Sequence, residues 1–101
     1  MNHPIDAKEL LERLDKGEKL NLLDVREEIE YHTYNIGGKN IPLAMISAEP
    51  GKTGYNKTDE IIVICKVGLR SQTAANLLAN VGYTNARNLT GGLMALQKLK
   101  R

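Results

Sequence analysis

Tryptophan and phenylalanine are absent from this 101-residue chain, and tyrosine occurs only four times. The core must therefore be built from Leu, Ile, Val and Ala, with the tyrosine rings as fillers. Cys65 is the one cysteine, which excludes an internal disulfide. The two histidines, His3 and His32, stand far apart and do not suggest a structural zinc site. No apolar run approaches membrane-spanning length. Residues Met1 to Asp6 show no basic region followed by an apolar one, so no secretory signal is expected and the expected location is cytoplasmic. Neither sign of charge dominates. The net charge is +2, and the only basic cluster is Lys98, Lys100 and Arg101, which argues against nucleic acid or an anionic membrane as partner.

What remains is an ordinary globular balance, 42% apolar and 26% charged, which argues against disorder. The length suits a single domain, and no repeat, low-complexity tract or linker divides it, so one domain is expected over residues 1–101. Heptads are absent, and a monomer is the expectation.

Asp6 and Glu9 have the spacing of a capping box at the start of a helix that carries Leu10, Leu11 and Leu14 and stops near Gly17. Leu20 to Val25 read as a short strand, and Arg26 to Tyr31 as a short helix with acidic residues in its first turn. Asn35 to Asn40 form a turn, Ile41-Pro42 a brief extended piece, and Ser47 to Thr58 a surface loop with Pro50, Gly51 and Gly54. Ile61 to Ile64 are apolar on both faces, as a central parallel strand requires. Ser71 is placed to cap a helix over Gln72 to Asn80, ended by Gly82. A last strand is expected over Ala86 to Leu89 and a terminal helix over Leu93 to Arg101. Short strands alternating with helices predict an α/β fold whose central parallel sheet is flanked by helices on both faces.

Chemistry is expected at Cys65. It follows the most buried strand and precedes a helix, and ligands in open α/β sheets bind beyond the carboxyl ends of strands. Unpaired N–H groups at a helix N-terminus stabilise an anion there. Lys66 and Arg70 add two cations, and Gly68 allows successive N–H groups to converge. Both effects lower a thiol's pKa and make sulfur a nucleophile near neutral pH. A lone cysteine is more often an inert buried residue, but not at a strand end beside cations, a glycine and a helix start.

Cys65-Lys66-Val67-Gly68-Leu69-Arg70-Ser71 resembles the active-site loop of the rhodanese family of sulfurtransferases. The likeness extends to Leu22-Leu23-Asp24-Val25-Arg26-Glu27, to Glu30-Tyr31 with Asn35 to Leu43, and to Gly82-Tyr83-Thr84-Asn85 with Asn88 to Leu93. These pieces lie in the family's order across nearly the whole chain. The resemblance implies a rhodanese-like domain in which the Cys65 thiolate takes sulfur from thiosulfate or a related donor. A persulfide forms and passes the sulfur to cyanide in the test tube, or to a protein or small thiol. It also implies that backbone N–H groups of Val67, Gly68, Leu69, Arg70 and Ser71 cradle the outer sulfur, that Lys66 and Arg70 attract an anionic donor, and that no metal or organic cofactor is needed. The alternative is a sulfur carrier or interaction module loaded by a partner protein, with little turnover on thiosulfate.

Related cysteine phosphatases and arsenate reductases place five residues between Cys and Arg. Here four separate Cys65 from Arg70, a smaller ring that suits one sulfur atom better than a tetrahedral oxyanion. The chain departs from the family pattern at Asn35 (often His), in a Gly38-Lys39-Asn40 stretch one residue short, and at Leu96 (often aromatic). Asp24 and Arg26 fall on the same sheet edge as the Cys65 loop. They are candidates to support it or to bind substrate, with an ion pair tying the short helix to the sheet as the favoured reading. His32 is expected at the surface. The Asn-x-Thr matches at Asn56 and Asn88 are read as accidental.

Overall fold

The computed structural model describes residues 2–100. Four parallel strands form one sheet: β1 (Leu22–Asp24), β2 (Lys39–Asn40), β3 (Ile61–Ile64) and β4 (Ala86–Asn88), in the order β2-β1-β3-β4. The apolar run of β3 sits in the interior of the sheet, with Asp24 of β1 level with Ile64 and Val63 level with Asn88 of β4. The N-terminal segment adds a parallel bridge from Ile5 to Leu89.

Alternation along β3 divides the core. Ile62 and Ile64 face α1 (Ala7–Asp15) and α5 (Gly92–Leu99), packing with Ile5, Leu10, Leu89, Leu93 and Leu96. Ile61, Val63 and Cys65 face α3 (Leu43–Ala48) and α4 (Leu69–Asn80), packing with Leu23, Val25, Ile46, Ala74 and Leu78. A short helix, α2 (Glu28–Thr33), joins β1 to β2. The expected α/β architecture with helices on both faces is thus present. Each fully buried Leu or Ile contributes roughly 1.5–3 kcal/mol, so two thin aliphatic layers replace the missing large aromatics. Of the tyrosines, Tyr83 is the true filler. It is buried, and its hydroxyl lies 2.8 Å from Thr53 Oγ1.

Local structure departs from the sequence expectations in several places, one of them β2, whose Lys39–Asn40 lie inside the expected turn. Helix α3 occupies Leu43–Ala48, where no helix was expected and a loop was to start at Ser47. Pro42, with φ −54°, starts it at an angle helices accept, and six residues are too few to show a period. The loop that follows is anchored through buried Thr53 and through Tyr55, whose hydroxyl donates to Leu22 O at 3.1 Å. At α1, Asp6 accepts from Glu9 N at 2.8 Å, but the Glu9 carboxylate binds Arg87 instead of closing the box. The box forms at α2 instead, between Glu27 and Glu30. Helix α4 begins at Leu69, three residues earlier than expected, and its cap is Gly68, not Ser71. The end of the last helix expected at Arg101 lies outside the described residues.

The chain runs outward from β1 to β2, then returns to place β3 on the other side of β1. The sheet order therefore reverses between β1 and β3, and the carboxyl ends of these two strands open the crevice where such sheets bind ligands. Asp24 and Cys65 stand at those ends.

Candidate active site

Cys65 leaves β3 with its sulfur inside the first turn of α4. Gly68 N lies 3.1 Å from Sγ and Ser71 N 3.3 Å, both donating, and Ser71 Oγ lies 3.2 Å away. Gly68 adopts φ +93°, and a Cβ there would press against Gly91 N at 3.0 Å, so the bend that turns these amides inward requires glycine. The loop is held from behind by α5, whose first amides cap its carbonyls: Leu93 N donates to Cys65 O at 2.9 Å and Met94 N to Lys66 O at 3.0 Å. A Cβ on Gly92 would collide with Cys65 O, at 2.6 Å, so the Gly91-Gly92 pair seats one helix on the loop of another.

Burial pushes the Cys65 thiol up. The Ser71 hydroxyl and the N–H groups of Ser71, Gly68 and Val67 together outweigh it and hold the thiol below its ordinary value. The residue is 1% exposed, which shields a thiolate from bulk water and from bulky electrophiles. The hydrogen-bond donors gathered on Cys65 Sγ itself are thus the amides of Gly68 and Ser71 and the Ser71 hydroxyl. No hydrogen bond runs from the amides of Leu69 or Arg70 to the sulfur.

Ser71 carries a second hydrogen bond, from Oγ to Asn88 Oδ1, and Asn88 Nδ2 donates to Gln72 Oε1 at 3.2 Å. A hydroxyl has one proton. While Asn88 takes it, Ser71 Oγ can only accept from the Cys65 thiol, and a thiolate requires the hydroxyl to turn to sulfur.

The two loop cations differ. Lys66 is exposed and has no ion-pair partner among the described residues. Arg70 is held by Glu30 of α2 through two bonds, Nη1 to Oε1 at 2.6 Å and Nη2 to Oε2 at 3.0 Å. That fork holds the Glu30 carboxyl at about 2, against the opposing effect of burial. Asp24 and Arg26 form a buried bidentate pair at 2.8–3.2 Å, and Arg26 also donates to Tyr34 O at 2.6 Å. They tie α2 to the end of β1 and make no hydrogen bond to residues 65–71. His32 is exposed and stacks edge-on against Tyr31. Asn35 caps the turn after α2, accepting from Gly37 N and donating to Tyr31 O, each at 2.9 Å.

A groove of about 390 Å³ opens beside the loop between α2 and α5, lined by Arg26, Ile29, Tyr34, Lys66, Leu93 and Met94 among others. No group of three or more His, Cys, Asp or Glu suited to a metal occurs among the described residues, and no described helix is long and apolar enough to cross a membrane.

The model of the Rhodanese-like domain family matches residues 6–99. The chain belongs to this family. Over 95 residues it is 34% identical to the probable adenylyltransferase/sulfurtransferase MoeZ of Mycobacterium tuberculosis, covering 93% of this chain and 24% of that protein. Over 83 residues it is 36% identical to the putative sulfur carrier protein YrkF of Bacillus subtilis, covering 81% of this chain and 44% of that one. This rhodanese-like chain thus spans less than half the length of either relative. A crystal structure of a rhodanese-like domain protein from Staphylococcus aureus superposes with a TM-score of 0.80 at 27% identity, over 93% of this chain and 90% of the other.

Two side chains of this rhodanese-like domain escaped the sequence reading as site residues. Glu30 reads as a residue of a short acidic helix and of a family-like stretch, and its partner Arg70 lies 40 residues away. Asn88 reads as a strand residue, as part of a family-like stretch and as an accidental Asn-x-Thr match, and it meets Ser71 from 17 residues away. Polar residues at the carboxyl edge of β4 and in the first turn of α2 were the only available signal.

Proposed function

We propose that this domain is a persulfide relay of the rhodanese type. Cys65 accepts a sulfane sulfur from a partner protein or a persulfide and hands it to a thiophilic acceptor. The convergence of Gly68 N, Ser71 N and Ser71 Oγ on Cys65 Sγ carries the reading. In the loading step the thiolate attacks the outer sulfur of the donor. The new S–S bond forms as the donor's S–S bond breaks, and the electron pair leaves with the donor's inner sulfur. The outer persulfide sulfur keeps one negative charge, which the same amides stabilise. Transfer reverses the step: the acceptor attacks the outer sulfur and the Cys65 thiolate is the leaving group.

Three observations favour a carried donor over free thiosulfate. Arg70 is already neutralised by Glu30. The rim of the loop is apolar, with Ile29, Val67, Leu69 and Met94 exposed. The relatives include a putative sulfur carrier and a far longer adenylyltransferase/sulfurtransferase. Lys66, which has no ion-pair partner among the described residues, favours the second reading, turnover on thiosulfate, in which sulfite leaves as the dianion.

The test is intact-protein mass after incubation with a cysteine desulfurase and cysteine, or with thiosulfate, before and after cyanide. A relay gains one sulfur from the desulfurase, loses it to cyanide, and loads more slowly from thiosulfate. No gain from either donor overturns the proposal. Faster loading from thiosulfate favours the second reading.

A further inference from the structure

Three cations stand at the carboxyl edge of β1 and β3, and two are answered by the protein's own carboxylates. Arg26 is paired with Asp24 inside the fold, at 2.8 Å. Arg70 is paired with Glu30 at the surface, at 2.6 Å, where both side chains remain about one-third exposed. These pairs differ in kind. The first is buried and also holds backbone carbonyls, so it is structural. The second spans two elements, α2 and the first turn of α4, and occupies both terminal nitrogens of the guanidinium nearest the loop. A planar fork of this type is the geometry that otherwise grips a small oxyanion.

We infer that Glu30 is a specificity-determining residue: by occupying Arg70 it disfavours small dianionic sulfur donors and leaves the loop to donors bound through other contacts. The inference rests on the relay reading above and names what enforces it. A dianion approaching Cys65 meets Lys66 as the one loop cation without an ion-pair partner among the described residues. To use Arg70 it must displace a carboxylate already seated on it. A donor carried on a protein needs neither cation, because the apolar rim and groove supply its contacts.

Glu30→Gln isolates this effect. Glutamine serves the capping box as glutamate does, so the Glu27 amide keeps its acceptor, which accepts at 3.1 Å in the native chain, while the charge on Arg70 is released. Thiosulfate loading in E30Q is expected to rise about 2–5-fold through KM, the worth of one partly screened ion pair, with a steeper fall in added salt. E28Q removes the same charge from the same helix, at an exposed residue with no ion pair to Arg70, and should stay near wild type. R70A should cost the native chain less than twofold with thiosulfate, because Arg70 is already engaged, yet abolish the gain in E30Q. Loading from the desulfurase should be unchanged in E28Q, and the ratio of thiosulfate to desulfurase loading should rise in E30Q and not in E28Q.

No thiosulfate gain in E30Q, an equal gain in E28Q, or a large loss in R70A alone would overturn the inference while leaving the relay intact. Failure of the wild type to load from the desulfurase, or faster loading from thiosulfate, would remove the relay reading itself.

Discussion

At the amino end of β3, Glu60 accepts from Arg13 at 2.6 and 2.7 Å and from Arg87 at 2.9 Å, while Arg87 also binds Glu9 at 3.0 Å. At the carboxyl end of the same strand, Cys65 Sγ draws on backbone amides and one hydroxyl and touches no cation. The first region is a closed network that fastens α1 and β4 to the start of β3. The second is an open ring of donors with room for a charge to appear and leave. One strand thus separates electrostatics that hold the fold from electrostatics that do chemistry. The difference lies in whether the anion is permanent. The Glu60 carboxylate is held in its charged form by two guanidinium groups, whereas in the proposed relay the sulfur passes between thiolate and persulfide, so its donors must suit both forms without fixing either.

Replacing Cys65 breaks the comparison most completely. Cys65→Ser should abolish sulfur gain in the mass measurement while leaving the thermal unfolding midpoint near that of wild type, because the substituted atom is small and its donors remain. Residual sulfur gain would show that another group accepts it.

Glu60→Ala should do the reverse. It takes the shared carboxylate from two largely buried guanidinium groups, leaving Arg13 with Glu18 and Arg87 with Glu9, at a cost of about 1–2 kcal/mol in denaturant unfolding, yet the folded fraction should load sulfur at the native rate. The acid limb also changes. Arg13 holds the Glu60 carboxyl below its ordinary value against the pull of burial, and Arg87 adds to this. A depressed carboxylate stabilises the fold above its unfolded pKa, about 4.3, and this contribution is lost as pH falls through the folded value. E60A should therefore show a flatter loss of stability on acidification. Impaired loading per folded molecule would mean the two ends of β3 are coupled.

The same contrast explains what the sequence could and could not disclose. Strand β3 was legible because four β-branched residues in a row have few other uses, and Cys65 because it sits at the strand's end. Asp24 and Arg26 were legible as a pair because they are two residues apart. Helix α3 was hidden by its brevity. The start of α4 was misplaced because serine is a common cap, while the chain uses Gly68 with a positive φ and sends Ser71 to the sulfur. Glu30 with Arg70, Glu60 with Arg13, and Ser71 with Asn88 join residues from 17 to 47 positions apart, and no local pattern announces such contacts.

Within the open ring, Ser71→Ala removes the side-chain donor and leaves the amides. Alkylation of Cys65 by iodoacetamide should keep its pH dependence, with a midpoint raised by about half to one unit, the worth of one hydrogen bond to the thiolate. The sign follows from the thiolate's loss of a donor. An unchanged midpoint would assign the whole depression to the backbone.

Asn88 tests the finest feature of the ring. It competes with the sulfur for the single Ser71 proton. Asn88→Leu removes the competitor without adding charge, so the hydroxyl is free to face sulfur and the alkylation midpoint should move down, by a few tenths of a unit. The direction is opposite to that of S71A, and general loosening of the site would not produce it. The double variant S71A/N88L should match S71A alone, because without the hydroxyl Asn88 has no hydrogen-bonded route to sulfur. If the double variant instead moves below S71A, Asn88 acts on the sulfur directly, through its field or through packing. The ring would then close at Ser71 without extending to β4.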